Sequence, residues 1–166
     1  MPEKISGLII TFNEEKNIQE VLKCFDFCDE IIVVDSFSTD QTVQIARQNP
    51  KVKIDQHKFV DYTKQRNKAL SLAENDWVFF LDADERTTPE LQREIIEIIN
   101  AKDAKDAYYI RRIFFVGKKE IKFSGTQNDK NFRLFRKSKA KYAENKKVHE
   151  TLEVNGTTGI LKNKLL

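Results

Sequence analysis

Three carboxylates fall within four residues, at Asp82, Asp84 and Glu85, directly after the apolar run Trp77-Val78-Phe79-Phe80-Leu81. A buried strand that ends in Asp-x-Asp delivers acidic oxygens to the C-terminal rim of a sheet, where open α/β folds hold their ligands. Carboxylates that crowded repel one another unless a cation sits among them. Mg²⁺ or Mn²⁺ suits the place, because hard cations take oxygen ligands and leave positions open for substrate phosphates. The chemistry implied is a metal–diphosphate site with Asp84 holding the metal; a solvated acidic turn is the other reading. Two earlier apolar runs also end in polar residues, Thr11 and Asp35. A threonine hydroxyl there can donate, and an aspartate can accept from a base or a ribose.

Positioning those residues requires strands that run the same way. Ile5 to Thr11 and Glu30 to Asp35 read as buried strands, Lys51 to Asp55 as a shorter third, and Trp77 to Asp82 as the strand feeding the acidic cluster. Helices are expected from Glu14 to about Cys24, with Asn13 as N-cap, and from Gln41 to Gln48. Two more are expected from Phe59 to Ala73 and from Thr88-Pro89 to about Asn100, with Pro89 at the first helical position. Alternation of this kind predicts βαβ units and a mostly parallel sheet, so Thr11, Asp35, Asp82 and Asp84 share one rim. After Asn100 the rhythm turns to strands, at Ala107 to Val116, Lys119 to Phe123, Asn131 to Arg136 and Val148 to Val154.

Other chemistries are disfavoured by what is missing. No G-x-G-x-x-G, G-x-x-x-x-G-K-[ST] or H-E-x-x-H occurs, so any diphosphate must be neutralised by metal and side chains rather than a glycine loop. Cys24 and Cys28 are the only cysteines; without a second pair they read as small core residues in a reducing, cytoplasmic setting. No stretch approaches the roughly 20 apolar residues of a membrane span, and no export leader follows Met1. With 166 residues the chain is expected to form one domain, a nucleotide-type half over 1–100 and a β-rich half over 101–166 that ends as if cut within a longer protein.

Four motifs in order carry a resemblance: Ile9-Ile10-Thr11-Phe12-Asn13-Glu14-Glu15, Val33-Val34-Asp35-Ser36-Phe37-Ser38-Thr39-Asp40-Gln41-Thr42, Lys64-Gln65-Arg66-Asn67-Lys68-Ala69 and Leu81-Asp82-Ala83-Asp84-Glu85. Together they resemble family 2 glycosyltransferases over about residues 5 to 100. The segments Arg111-Arg112, Phe114-Phe115, Gly117-Lys118, Phe132-Arg133-Leu134-Phe135-Arg136 and Val148-His149-Glu150 are similar to lipopolysaccharide core glycosyltransferases of the WaaE type. The resemblance implies an α/β GT-A fold and inverting transfer from a nucleotide-diphosphate sugar, usually a UDP-sugar, onto a glycan or lipid-linked acceptor. It implies that Thr11, Asn13 and Asp35 line the nucleotide pocket and that Arg66 approaches the base or the phosphates. Asp82 would face the ribose or the metal, Asp84 would ligate the metal, and His149 is a further metal candidate. Many relatives carry a second Asp where this chain has Ser36, which leaves the nucleotide open.

Transfer builds positive charge at the anomeric carbon and negative charge on the leaving phosphate, and the acceptor hydroxyl must lose a proton. Glu150 is the candidate base, followed by Glu144 and Asp129. Between Lys130 and Lys147 lie eight basic residues against Glu144 alone. That run suits a polyanion, whether nucleic acid, an anionic membrane surface or a phosphorylated acceptor, with a solvated face as the alternative. The resemblance implies a lipid-linked acceptor rather than nucleic acid, so that the run, with Phe132, Phe135 and Tyr142, would dock to an anionic membrane at its cytoplasmic face. Two rivals stand beside the transferase: a sugar-nucleotide or polyanion-binding module without turnover, and a sugar nucleotidyltransferase. The latter lacks its expected glycine-rich loop, since Thr11-Phe12-Asn13-Glu14-Glu15 stands there instead.

Overall fold

The computed structural model describes residues 1–113, 115–116, 119–120, 130–144 and 151–166. Seven strands form one mixed sheet in the order β11-β5-β8-β4-β1-β2-β3. Its first part is β1 (Ile5–Thr11), β2 (Glu30–Asp35), β3 (Val52–Gln56) and β4 (Trp77–Phe80), in which β4, β1, β2 and β3 are parallel neighbours. Beyond β4 the antiparallel β8 (Lys130–Arg136) separates it from β5 (Ala107–Arg111), and β11 (Thr158–Ile160) runs parallel to β5 at the edge. Two short pairs stand apart, β6 (Phe115–Val116) with β7 (Lys119–Glu120) and β9 (Ala140–Tyr142) with β10 (Leu152–Val154).

The alternation of side chains along each strand sorts the core into two layers. Ile5, Ile9, Ile31, Val33, Trp77, Phe79 and Leu134 face the helices α1 (Ile18–Lys23), α2 (Thr42–Ala46) and α4 (Pro89–Ile99). Leu8, Ile32, Val34, Val78, Phe80 and Phe135 face α3 (Tyr62–Leu72), Tyr142 and Leu152. Strands covered on both faces explain the unbroken apolar runs read in β2 and β4. Helix α4 enters through Thr88, whose side chain accepts from the Leu91 amide at 3.2 Å, and buries Leu91, Ile95 and Ile99 along one stripe. Gly7 lies where a Cβ would come within 2.5 Å of the Phe25 ring, so β1 passes under α1's C-terminal side only because that position has no side chain. Cys24 and Cys28 are buried as core residues.

Several sequence expectations shift. The first helix does not begin at Glu14: residues 14–17 make a separate turn and α1 starts at Ile18. Asn13 is no N-cap; it sits at φ 54° with its side chain committed to a neighbouring loop. The long strand expected through Val116 ends at Arg111 because Arg112 turns to bridge Leu165. Of the strand expected over Lys119 to Phe123, residues 121–123 lie outside the described residues, as do 148–150 of the one expected over Val148 to Val154. Strands β9 and β11 were not anticipated, being three residues each and carried by pairing rather than by pattern.

Candidate functional site

Parallel pairing puts Thr11 level with Asp35 at the C-terminal ends of β1 and β2, and β4 delivers Leu81 and Asp82 to the same rim. Against that rim opens a cleft of about 1050 Å³. Thr11, Arg66, Asp82 and Asp84 line it, together with Ser36 and Gln65, which sequence reasoning left without a role.

At its floor the acidic loop folds onto itself. The Glu85 amide donates to the Asp82 carbonyl at 3.0 Å, and the Asp82 amide donates to Glu85 Oε2 at 2.8 Å. Two buried guanidiniums then hold the carboxylates. Arg66 Nη2 donates to Asp82 Oδ1 at 2.8 Å, and Arg133 Nη2 donates to Asp82 Oδ2 at 2.6 Å and Glu85 Oε1 at 2.7 Å. Arg66 also packs beside two aromatic rings that meet edge to face, its guanidinium 4.7 Å from the Phe80 ring centroid and 5.7 Å from that of Tyr142. Burial by itself would raise the Asp82 carboxyl, but the charges of Arg133 and Arg66 outweigh it and hold the group down at about 2. Glu85 is pushed the other way: burial dominates, Asp82's charge adds to it, and Arg133 only partly opposes. A single guanidinium thus serves two carboxylates in one buried cluster.

The rim beside β1 and β2 is held by uncharged donors instead. Asp35 is fully buried; Oδ1 accepts from the hydroxyls of Thr11 at 3.0 Å and Ser38 at 2.5 Å, and Oδ2 accepts from the Ser38 amide at 2.8 Å. The loops after the two strands are stitched together by side chains of the recognised motifs. Asn13's amide donates to Ser38 Oγ and its side-chain oxygen accepts from the Thr39 amide, both at 2.8 Å. The Glu14 amide donates to Thr42 Oγ1 at 2.8 Å, and the Glu15 amide donates to Asp40 Oδ2 at 3.1 Å. Asp35 and Asn13 therefore stand behind the cleft wall, shaping the loops that carry Thr11 and Ser36, and are not among its lining residues.

Buried Gln65 fixes the remaining corner. Its Nε2 donates to Ser36 Oγ at 2.9 Å and to the His57 carbonyl at 3.2 Å, while Oε1 lies 2.6 Å from His57 Nδ1. With both amide protons used, Oε1 can only accept, so His57 carries its proton on Nδ1. Around the same mouth Phe12, Phe37, Phe59 and Tyr62 are 44–58% exposed. Phe37 sits at φ 60°, a left-handed conformation that costs a bulky residue about 1–2 kcal/mol.

The divalent cation expected from Asp-x-Asp can be tested against these side chains. Among the described residues no three acidic, histidine or cysteine groups stand together as a metal cage. Asp82 has both oxygens committed to arginines. Asp84 differs: it is exposed on the cleft, and no described residue hydrogen-bonds or pairs with its carboxylate. One free carboxylate facing a diphosphate-sized space fits Mg²⁺ or Mn²⁺, which draw most ligands from phosphate and water. His149, Glu150 and Asp129 lie outside the described residues; Glu144 is described and exposed, without a cleft contact. The basic run divides. Arg133 is buried in the acidic cluster, Arg136 lies 4.4 Å over the Trp77 ring and pairs with Asp76, and Phe135 and Tyr142 are core. Phe132 stacks on Tyr109 at 3.7 Å. The aromatic side chains expected at a membrane surface are thus spent on packing, and Lys139 and Lys141 are what the described part of the run exposes. The charge pattern held no sign of this, because a buried arginine and a solvated one look alike in sequence.

The chain is similar to known proteins in sequence and in fold. Residues 6–163 match the model of a family described as glycosyl transferase family 2. An uncharacterized glycosyltransferase of Rickettsia typhi is 37% identical over 163 residues, covering 92% of this chain and 54% of that protein. The lipopolysaccharide core biosynthesis glycosyltransferase LpsC of Rhizobium meliloti is 29% identical over 160 residues, covering 93% and 59%. Among solved structures, S. aureus TarS 1–349 in complex with UDP-GlcNAc superposes with TM-score 0.61 at 31% identity, covering 73% of this chain and 37% of that one. The fold is also shared with a Pyrobaculum calidifontis mannosyltransferase in complex with GDP-Man and Mn²⁺, at TM-score 0.55 and 23% identity over 68% of this chain and 38% of that one. The architecture is the GT-A fold. The chain spans just over half the length of these curated relatives.

Proposed function

The chain belongs to glycosyl transferase family 2, and from that premise we propose that it binds a nucleotide-diphosphate sugar, a UDP-sugar first, and passes the sugar with inversion to a glycan or lipid-linked acceptor of the cell envelope. The observation that carries the reading is the contrast inside one motif: Asp82 is locked by two arginines while Asp84, two residues on, stands free on the cleft. A divalent cation bound there would stabilise the negative charge that develops on the leaving diphosphate. The chain's own residues set the frame. Thr11 and Ser36 present hydroxyls from the stitched loops, and Arg66 keeps positive charge at the cleft floor while anchoring Asp82. Asp84 supplies the open carboxylate, and the resemblance alone adds His149 as a second ligand.

Glu150 is proposed as the base that takes the acceptor proton, on the Val148-His149-Glu150 resemblance. A Glu150→Gln variant transferring sugar at the wild-type rate would remove it from that role. The envelope acceptor rests on the likeness to LpsC, whose name is a lipopolysaccharide core enzyme's. A peripheral, cytoplasmic-face location would use Lys139 and Lys141; no helix among the described residues is long and apolar enough to cross a membrane.

Calorimetric titration of UDP with Mn²⁺ or with EDTA, into wild type and Asp84→Ala, tests the central claim. Expected is metal-dependent binding that falls at least about tenfold in Asp84→Ala, with thermal stability unchanged because the side chain is exposed and no described residue hydrogen-bonds or pairs with its carboxylate. UDP binding that ignores both EDTA and the substitution overturns the metal assignment. A binding module without turnover would show the same titration and no transfer or hydrolysis of the donor sugar.

A further inference from the structure

We infer that Arg86 is a positioning residue for Asp84: its guanidinium holds the turn that carries the free carboxylate, and so fixes where that carboxylate leaves the backbone. This rests on the proposal that Asp84 meets a divalent cation. Residues Asp82 to Glu85 make a tight turn, closed by the Glu85 amide on the Asp82 carbonyl at 3.0 Å. Asp84 is the third residue of that turn, exposed, and no described residue hydrogen-bonds or pairs with its carboxylate. The direction of its Cβ is therefore set by the two planar peptide units that flank it. The unit after Asp84 is held through its N–H, which makes the bond closing the turn. The unit before it is held through its C=O, because Arg86 Nη1 donates to the Ala83 carbonyl at 2.6 Å. The same nitrogen donates to the Glu85 carbonyl at 2.7 Å, so one guanidinium brackets Asp84 from both sides.

Arg86 can hold the turn because it is itself tied down. Its amide donates to the Leu166 carbonyl at 2.8 Å, and its carbonyl accepts from the Leu166 amide at 2.9 Å. Leu165, the residue before, is fully buried; its amide donates to the Arg111 carbonyl at 2.9 Å and its carbonyl accepts from the Ile113 amide at 2.7 Å. Glu94 of α4 grips the same segment further back, accepting from the amides of Lys162 and Asn163 at 2.7 and 2.9 Å. The acidic turn is thus fastened, through Arg86, to a segment about 80 residues away that is anchored on α4 and beside β5. The three arginines around the motif divide the work. Arg66 and Arg133 spend their donors on the Asp82 carboxylate, whereas Arg86 spends its own on carbonyls and leaves the Asp84 carboxylate open. A guanidinium suits the task, since its donors lie in one rigid plane and it keeps its charge at any working pH.

The test is a double-mutant cycle read by binding. UDP is titrated with Mn²⁺ and with EDTA into wild type, Arg86→Met, Arg86→Lys, Asp84→Ala and the double variant Asp84→Ala/Arg86→Met. In Arg86→Met the affinity with Mn²⁺ is expected to fall about fivefold, while that with EDTA stays within about twofold of wild type. Arg86→Lys keeps a donor for the carbonyls without the planar fork, and its loss with Mn²⁺ should be smaller, about two- to threefold. Should Arg86→Met not fold, Arg86→Lys decides by the same criterion, a loss seen with Mn²⁺ and absent with EDTA. Once Asp84 is alanine there is no carboxylate left to position, so adding Arg86→Met should change the affinity with Mn²⁺ by less than about twofold. Wild-type affinity in both Arg86 variants overturns the inference. So does an equal loss with Mn²⁺ and EDTA, or a further fivefold loss in the Asp84→Ala background. Wild type whose UDP affinity ignores EDTA overturns instead the cation reading on which the inference rests.

Discussion

Asp35 and Asp82 end two parallel strands of the same sheet, one strand apart, and their surroundings could hardly differ more. Asp35 is sealed by neutral hydroxyls and an amide. Asp82 lies between two guanidiniums, with Glu85 sharing one of them. Neutral donors fix a loop's shape and let the carboxylate disappear into the wall. Buried cations do something else: they keep a carboxylate ionised while leaving strong charge beside an open cleft. The first arrangement builds the wall of the cleft, the second its floor.

Breaking the ionic end should cost most. Arg133→Met leaves Asp82 to Arg66 alone and Glu85 to the longer contact with Arg112 Nη1 at 3.4 Å, both in a buried place, and the expected loss is about 3–5 kcal/mol of folding stability, read by urea denaturation. A loss below about 1 kcal/mol would mean that Arg66 and Arg112 suffice for both carboxylates. At the neutral end Asp35→Asn keeps one acceptor but turns an NH₂ toward the Ser38 amide or the hydroxyls. The expected cost is about 1–3 kcal/mol by the same assay, with loosened loops seen as faster exchange of the Ser38 and Thr39 amides.

Acid sharpens the contrast further. Asp82 titrates at about 2 when folded, below its ordinary value of 3.8, so its stabilisation is complete above pH 4 and is lost as pH falls toward 2. The amount is on the order of 2 kcal/mol. Glu85, raised in the folded state, has the opposite sign: protonating it favours folding, so its contribution is complete below its ordinary value of 4.5 and is lost as pH rises above it. Stability curves for wild type and Glu85→Gln should therefore diverge as pH rises above about 4.5, and the wild type's steep acid loss should lie lower, between about 4 and 2. Parallel curves would show that Glu85 carries the same proton in both states.

Much of this was legible beforehand. The strands β1 and β2 carry largely apolar runs closed by Thr11 and Asp35, and their ends match the expectation residue for residue. Thr88-Pro89 announced α4 because cap chemistry is local. The Asp-x-Asp turn was readable as lying at the rim because the buried strand before it leads there, and Asp82 and Asp84 do line the cleft. Less legible were Asn13, whose capping reading failed because a partner 26 residues away took its side chain, and Arg133, which read as one more base in a surface run and is buried. Gln65 gave no signal at all, since a buried amide is recognised only by what it touches.

Composition, periodicity and motif order determined the strand–helix alternation, the shared rim and the acidic loop, because each depends on neighbours close in the chain. Which aspartate is locked and which is free was decided only by tertiary structure. Arg66 comes from α3 and Arg133 from β8, 16 and 51 residues from Asp82, and it takes both the sheet order, which sets β8 beside β4, and the packing of α3 on the sheet to bring the two guanidiniums to one carboxylate. Charge pairing at 2.6–2.8 Å is set by where distant elements cross, and that crossing has no local signature in the sequence.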